Sequence, residues 1–235
     1  MTIGIICAMP QEVASFLPAA SRRESEPSEF FATTIGEFEV VVASSGLGKV
    51  RAAVSASVLI ERWNCRALVS AGTAGGLAGT IPMQVVIASE LIQHDYGRSR
   101  GAGELELYRP GIPPLPEYRH IDHRLMLPEK RAAEFEAITR ELDFVAYGKY
   151  ASGDTFVNDR ATRARLEALG AVAVDMECSA VAQVAEHFGV PWLVAKGISD
   201  DASTTSHEDF LAGIDEASRR SGRVVQALLP ALLAS

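Results

Sequence analysis

The stretch ALVSAGTAGG, residues 67–76, decides the fold class of this chain. Its first half is a short unbroken run of apolar and small residues, and such runs are typical of strands covered on both faces of a sheet. The run WLVAKGI, residues 192–198, has the same character. Glycines at a strand end let the backbone approach a ligand closely, at an entropic cost. We therefore expect a sheet buried between helices, with residues 72–76 contacting a ligand rather than forming a packing turn.

Around these two runs, short apolar segments alternate with segments of helical period. The alternation predicts an α/β fold with a mainly parallel sheet, and the length of 235 residues suits one domain spanning residues 1–235. Residues 93–118, rich in Gly, Pro and Arg, are expected to form one long ordered loop, and loops of this length in a compact domain are usually functional or disordered. The predicted strands cover residues 3–7, 30–35, 38–43, 67–71, 85–92, 144–151, 172–174 and 192–198. The predicted helices are a brief one from about Gln11, residues 50–63, 128–142, 159–169 and 177–188, and a last one from about Ser206.

The charge balance argues against one class of partner. Lys and Arg number 22 and Asp and Glu 30, for a net charge of −8, whereas nucleic-acid binding rests on clustered cations. No apolar run approaches the roughly 20 residues of a membrane span, and the first residues lack the basic segment of a signal peptide. Cys7, Cys65 and Cys178 stand in apolar surroundings without metal-ligand spacing, as is typical of buried thiols in a reducing compartment. We therefore expect a cytoplasmic protein that contacts neither nucleic acid nor membrane.

Several acidic residues follow predicted strands. Ligands of open α/β sheets bind at the carboxyl ends of the strands. Taken singly, Glu12 fits a solvated acid at a helix start, and Asp200 fits a helix N-cap. Glu177 has apolar neighbours and is expected to be less exposed than most acids. Convergence of several acids on one cleft would need a functional explanation. Six segments are expected at the strand ends, four of them with a carboxylate: residues 9–12, 44–49, 72–76, 152–157, 175–177 and 199–201.

The glycines of residues 46–51 do not complete a nucleotide-binding motif. GLGKVR has Arg51 where the dinucleotide fingerprint needs a small residue. It also lacks the earlier glycine and the Ser or Thr after the lysine that a Walker A loop requires. A tight turn into a helix and a backbone contact with a ligand are both open for this segment.

Six segments together carry a family resemblance: IGIICAMPQE (3–12), SSGLGKV (44–50), SAGTAGGL (70–77), SGDTFVND (152–159), VDMECSAVA (174–182) and GISDDA (197–202). In this order and spacing they resemble the nucleoside phosphorylase/nucleosidase superfamily, and within it the 5′-methylthioadenosine/S-adenosylhomocysteine nucleosidases. The resemblance implies a single-domain, three-layer α/β fold of the purine nucleoside phosphorylase type, with a twisted, mixed and mostly parallel sheet flanked by helices. It also implies a homodimer and no metal or organic cofactor.

The resemblance also implies roles for the three acids in cleaving a ribose–purine bond. Asp200 is implied to protonate purine N7, which requires a carboxyl with a raised pKa. Glu12 is implied to polarise a water on the opposite face of the sugar. Glu177, with the backbone of Met176, is implied to hold the ribose hydroxyls and to place negative charge near the oxocarbenium-like centre. The implied reaction releases adenine from 5′-methylthioadenosine and/or S-adenosylhomocysteine.

The remaining implied residues contact the substrate. Phe156 is implied to stack on the purine, the Val157 backbone to read the purine edge, and Leu47 to lie towards the 5′ end. The other implied substrate-binding residues are Thr73, Ala74, Gly75, Ser199 and Phe210.

Water is favoured over phosphate as the nucleophile. Phosphorylases of the superfamily bind phosphate with arginines, and neither residues 8–12 nor residues 71–74 contain one. A carboxylate about 4 Å from a phosphate would cost roughly 4 kcal/mol at an effective dielectric of about 20. The expected partners are therefore a purine nucleoside and water.

The 5′ specificity is open, because residues 96–118 depart from the family pattern. Tyr108 and Pro113 are candidate counterparts of residues that a partner subunit inserts beside the 5′ substituent. Arg98, Arg100 and Arg109 are either surface charge or include a contact for an acidic 5′ group.

Lys196 is a second departure, since it stands where the family has arginine and the two side chains are not equivalent donors. Three other functions are considered beside the nucleosidase: a futalosine- or aminodeoxyfutalosine-type hydrolase, a purine nucleoside phosphorylase, and a catalytically silent nucleoside-binding or storage protein. The presence of all three acids argues against the last.

Overall fold

The apolar run at residues 67–71 lies within a longer buried strand, β5 (Cys65–Gly76). The computed structural model describes residues 1–17, 24–25, 29–101, 104–203 and 206–233. The other strands are β1 (Thr2–Cys7), β2 (Glu24–Ser25), β3 (Glu29–Ile35), β4 (Phe38–Ser44), β6 (Val85–Gln93), β7 (Gly97–Gly101), β8 (Glu104–Leu107), β9 (Leu125–Met126), β10 (Val145–Ser152), β11 (Ala171–Asp175) and β12 (Trp192–Asp200). The helices are α1 (Pro10–Val13), α2 (Lys49–Glu61), α3 (Glu129–Thr139), α4 (Arg160–Ala168), α5 (Cys178–Phe188) and α6 (Ser206–Leu233), with a 3-10 turn at Pro116–Tyr118.

Within the described residues, ten strands form one mixed sheet in the order β11-β10-β6-β12-β5-β1-β4-β3-β2, with β9 paired to β6. The pairs β1–β4, β1–β5, β5–β12, β6–β10 and β10–β11 are parallel. Strands β6 and β12 are antiparallel, as are β3 and β4. The expected α/β class with a mixed, mostly parallel central sheet is thereby confirmed.

One additional pairing closes five strands of this sheet into a ring, as in a β-barrel. The end of β5 pairs antiparallel with β11, so the series β11-β10-β6-β12-β5 returns to its first strand. Gly75 pairs with Val174 of β11 on one side and with Asp200 of β12 on the other. The closure therefore brings the ends of β11 and β12 to the same place as the end of β5.

Helices cover the sheet in two groups. Helix α2 packs on α5, and both contact β5; helix α6 packs on β12 and β5 and also contacts α1 and α3. The core is dominated by branched aliphatic residues of β1, β4, β5, β6 and β12, as expected of strands buried on both faces. No helix in the described part of the chain is long and apolar enough to cross a membrane.

Three sequence expectations need correction. Residues 72–76 continue β5 rather than following it, because they pair with β12 and β11. Asp200 is the last residue of β12 rather than a helix N-cap, since α6 begins only at Ser206. Residues 93–118 are not one loop: they include the β7–β8 hairpin and the 3-10 turn.

Candidate active site

A cavity of ≈420 Å³ opens where the ends of β1, β5, β11 and β12 meet. Eleven of the twelve residues singled out in the sequence line it, and Val157 lines a smaller adjoining cavity that shares Phe156 and Asp200. The chain segments that supply these residues are far apart in sequence, and the β5–β11 pairing brings those at the ends of β5, β11 and β12 together. The lining consists of Ala8, Met9, Glu12, Leu47, Thr73, Ala74, Gly75, Phe156, Val174, Asp175, Met176, Glu177, Ser199, Asp200, Phe210 and Leu211.

Glu12 is buried, with 2% of its surface exposed, and is not the solvated helix-start acid considered for it alone. Its Oε2 accepts the backbone N–H groups of Ala8 (2.8 Å) and Met9 (3.0 Å). Its Oε1 accepts both the N–H and the hydroxyl of Thr73, each at 2.8 Å. All four partners are donors, which is the environment that an ionised carboxylate needs when it leaves water.

Gly72 makes room for this carboxylate. Its φ of +123° lies where side chains are strained, and a Cβ built on it would lie 2.3 Å from Cδ of Glu12. The glycine at this point of β5 is therefore explained by the close approach of Glu12 to the strand.

Glu177 is held at two oxygens. Its Oε1 accepts the N–H of Gly48 (2.9 Å), and its Oε2 accepts Nζ of Lys196 (3.0 Å). The same ammonium lies 2.7 Å from Oδ2 of Asp175, and all three side chains are at most 5% exposed. Lys196 thus contacts Asp175 and Glu177, which places the cation beneath the cavity and beside two of its acids.

The buried charged groups shift one another's pKa values. Burial lowers the pKa of Lys196, but Asp175, Cys178, Glu177 and Glu12 raise it by more, so it lies well above its ordinary value. Burial raises the pKa of Glu177, and Lys196 opposes that shift.

Asp175 was missed in the sequence as a site residue, although it stands only two residues before Glu177. Its Oδ1 accepts the hydroxyl of Ser152 (2.5 Å), and its Oδ2 accepts the N–H of Cys178 (2.9 Å). Burial raises the pKa of Asp175, but Lys196 and these hydrogen bonds lower it by more, so the net shift is downward. Asp175 is therefore anchored as a carboxylate at the end of β11.

The depressed pKa of Asp175 predicts a pH-dependent stability. A carboxylate whose folded pKa lies below its unfolded value stabilises the fold above the unfolded pKa, about 3.9, and loses this contribution as the pH falls through the folded pKa. Asp175→Asn should therefore lower the free energy of unfolding at pH 7, and the difference from the parent should shrink below about pH 4. Urea unfolding across this range tests it; a difference independent of pH would contradict it.

The pKa of Asp200 is raised, in contrast to that of Asp175. Burial raises its pKa, and the nearby charges of Asp201 and Asp209 raise it further, against hydrogen bonds from Ala202 N–H (2.9 Å) and Ser199 Oγ (2.8 Å). An acid with a raised pKa keeps its proton at higher pH and can deliver it to a leaving group. The cavity thus holds a carboxyl suited to donate a proton, Asp200, and one held among donors, Glu12.

The walls between the acids are apolar. The rings of Phe156 and Phe210 meet edge to face, with centroids 6.3 Å apart. Phe156 is 44% exposed and Leu47 58% exposed, so both lie at the mouth of the cavity. Leu211, next to Phe210, also lies there and was not singled out in the sequence; its position after Phe210 in α6 was the available signal. Flat apolar faces above buried acids suit an aromatic ring joined to a polar group.

The arginines considered for an acidic ligand lie elsewhere. Arg100 pairs with Glu106 (2.6 Å) on the β7–β8 hairpin, and Arg109 pairs with Glu186 of α5. Neither these nor Arg98 line the cavity. Among the described residues, no group of three or more His, Cys, Asp and Glu side chains is arranged to hold a metal ion.

Comparison with known proteins adds four findings. The model of the phosphorylase superfamily matches residues 2–230. A 5′-methylthioadenosine/S-adenosylhomocysteine nucleosidase of Mycobacterium bovis is 34% identical over an alignment covering 100% of this chain and 99% of the relative. The structure of the nucleosidase of the same description from S. pneumoniae, with the transition-state inhibitor MT-ImmA, has a TM-score of 0.85 at 31% identity and covers 99% of this chain and 100% of that one. A futalosine hydrolase of Helicobacter pylori has a TM-score of 0.84 at 24% identity, covering 98% and 97% of the two chains, and shares the fold.

Proposed function

The chain belongs to the phosphorylase superfamily, and from that premise we propose that it is a hydrolase that cleaves the N-glycosidic bond of a purine nucleoside and releases adenine. The proposed substrates are 5′-methylthioadenosine and/or S-adenosylhomocysteine, in line with the names of its relatives. The proposal predicts a purine and a free 5′-substituted ribose as products, with water as the second substrate.

The chemistry of the bond matches the three acids. Its cleavage leaves positive charge on the sugar and negative charge on the purine. Asp200, with its raised pKa, protonates the purine so that it leaves as a neutral base. Glu177 binds the ribose hydroxyls and stabilises the oxocarbenium-like centre, as carboxylates do in glycoside hydrolysis. Glu12 orients and activates the water on the other face of the sugar.

The choice of water over phosphate rests on the charge of the lining. Among the described residues that line the cavity, the charged ones are Glu12, Asp175, Glu177 and Asp200, and none is Lys, Arg or His. A dianionic phosphate among these carboxylates would be repelled, with no lining cation to offset the repulsion. This observation carries the proposal of a hydrolase within a superfamily that also contains phosphorylases.

The same lining favours a neutral 5′ group. A free carboxylate on the 5′ substituent, as in a futalosine or in the homocysteine of S-adenosylhomocysteine, needs a cationic or multiple-donor partner, and Arg100 and Arg109 are paired with Glu106 and Glu186 instead. Leu47, Leu211 and Phe210 offer apolar contacts, which suit a methylthio group. We therefore rank 5′-methylthioadenosine first and a futalosine-type substrate lower.

A product assay tests the proposal directly. Turnover of 5′-methylthioadenosine, S-adenosylhomocysteine, aminodeoxyfutalosine and inosine is measured by release of the free base, with and without phosphate. We expect adenine from 5′-methylthioadenosine at a rate that added phosphate does not change. A requirement for phosphate would replace the hydrolase with a phosphorylase, and inactivity on all four would favour a binding protein.

Phe156→Ala should weaken substrate binding about tenfold. Stacking of a base on an aromatic ring contributes about 1–3 kcal/mol, and it acts in the ground state and transition state alike, so KM rises while kcat changes little. Steady-state kinetics separate the two. Phe156→Leu, which keeps apolar area without the ring face, is the matched control. Its KM should lie between those of the parent and of Phe156→Ala. A loss confined to kcat would contradict the stacking role.

The setting of the enzyme is also proposed. Homodimer formation would cover the exposed apolar residues Leu47, Val50 and Val54 beside the cavity mouth, and sedimentation velocity tests whether the chain is a dimer.

We further propose that residues 1–235 act as one domain without a metal or organic cofactor. The proposed location is the cytoplasm, and the proposed roles are the breakdown of purine nucleosides and the salvage of methionine.

A further inference from the structure

A charged cluster beside the cavity is not used by the proposed chemistry. Nζ of Lys49 lies 2.6 Å from Oδ1 of Asp95 and 3.6 Å from Oδ2 of Asp154. The backbone N–H of Asp154 donates to Oδ2 of Asp95 at 2.9 Å. Lys49 opens α2, Asp95 follows β6 and Asp154 follows β10, so the cluster ties three chain segments together. We call Lys49, Asp95 and Asp154 the Lys49 clip.

Helix α2 has no capping side chain of its own, because its N-cap is Gly48, with φ of 96°. The first backbone N–H groups of a helix need acceptors from elsewhere. Gly48 N–H donates to Oε1 of Glu177 at 2.9 Å, and Lys49 N–H donates to Oδ1 of Asp154 at 2.8 Å. Two carboxylates, 129 and 105 residues away in sequence, therefore hold the start of this helix.

The clip is placed to act on two parts of the cavity. Lys49 directly follows Gly48, whose N–H orients Glu177. Asp154 lies two residues before Phe156 in the same segment. The side chain of Lys49 is only 14% exposed and that of Asp95 29%, so this pair is screened less than a pair on the open surface. Burial raises the pKa of Asp95, but Lys49 and the N–H of Asp154 lower it by more.

We propose that Lys49, Asp95 and Asp154 are positioning residues, which hold the Gly48 N–H on Glu177 and the Phe156 segment against the cavity. The inference rests on the proposed function. It assigns the clip an effect on both kcat, through Glu177, and KM, through Phe156.

The test compares Lys49→Met in the parent chain and in a Glu177→Ala background. We expect kcat to fall about tenfold in the parent, within the range of coupling between contacting residues, and KM to rise. In the Glu177→Ala background the loss of kcat should nearly vanish, because the route through Glu177 is already cut. A merely structural role would lower kcat by the same factor in both backgrounds and would overturn the inference.

Lys149→Met is the matched control. Lys149 forms an ion pair with Glu90 (2.5 Å), its side chain is 23% exposed, and it does not line the cavity. We expect this control to change kcat and KM less than twofold, whereas Lys49→Arg should recover most of the activity lost in Lys49→Met. Equal effects of Lys49→Met and Lys149→Met would overturn the inference.

A readout without turnover separates this inference from the proposed function. Amide hydrogen exchange at Gly48 should be faster in Lys49→Met than in the parent, since the hydrogen bond to Glu177 is less well held. If the parent releases no purine, the proposed function fails and the exchange still tests the clip. If the parent is active but exchange at Gly48 is unchanged, the clip fails and the function stands.

Discussion

Asp200→Asn is expected to lower kcat about 100-fold or more, the range typical of losing a general acid, while substrate still binds. Asparagine is nearly isosteric, and its amide oxygen can accept the Ala202 N–H that Asp200 now accepts at 2.9 Å. It has no acidic proton for the purine, so the base would leave as an anion. Adenine release gives kcat, and calorimetric titration of a non-hydrolysable nucleoside analogue gives the binding constant.

The raised pKa of Asp200 also gives this prediction a pH signature. Activity of the parent should fall as the pH rises through that pKa, because the protonated acid is lost, and Asp200→Asn should lack this basic limb. A carboxyl whose folded pKa is raised stabilises the fold below its unfolded pKa and loses that contribution as the pH rises through the folded value. At neutral pH the substitution should therefore leave Tm unchanged or raise it.

Asp201→Asn is the matched control for this experiment. Its side chain is 54% exposed, is not part of the cavity lining and differs from Asp200 by one position. We expect its kcat at the pH optimum to stay within about twofold of the parent, as for most surface substitutions, while the basic limb moves to lower pH because the charge of Asp201 helps to raise the pKa of Asp200. Unchanged turnover in Asp200→Asn would show that this residue is not the general acid. A lowered Tm of Asp200→Asn would mean that its activity is lost because the fold is damaged.

Glu12→Gln is expected to lower kcat by a similar factor, about 100-fold or more. An amide is too weak a base to take a proton from water. Three of the four groups around Glu12 are backbone N–H donors, of Ala8, Met9 and Thr73, which cannot accept the amide hydrogens of glutamine, and only the Thr73 hydroxyl can do so. Steady-state kinetics of adenine release measure this loss of kcat.

Thr73→Val tests whether the activity depends on the carboxylate charge of Glu12 or on the hydrogen bonds that hold Glu12 in position. It removes the hydroxyl that donates to Oε1 at 2.8 Å but keeps the carboxylate and the Thr73 backbone N–H. We expect a loss of kcat of about tenfold, the lower end of the roughly 1.5–3 kcal/mol that one hydrogen bond to a charged group contributes. If Thr73→Val were as inactive as Glu12→Gln, placement rather than basicity would account for both, and full activity of Glu12→Gln would exclude Glu12 as the base.

Much of the fold could be predicted because its signals are local. Apolar runs such as residues 67–71 and 192–198, separated by helical periods, identified the strands and the α/β class, and the family resemblance identified the superfamily. The strand ends were harder to predict. Residues 72–76 carry glycines that usually mark a turn, yet they extend β5 because two other strands pair with them.

The sequence by itself determined the alternation of strands and helices, the acidic charge, and the three acids at strand ends, because each is a property of short stretches or of composition. Tertiary structure alone decided that β11 pairs with β5, that Lys196 lies between Asp175 and Glu177, and that Asp154 holds the start of α2. These contacts join residues that no local pattern relates. Burial by itself disfavours a cation, so Lys196 is stable there only because the fold places carboxylates against it, and the hydrogen bonds of a strand pairing strengthen once the surrounding chain has excluded water.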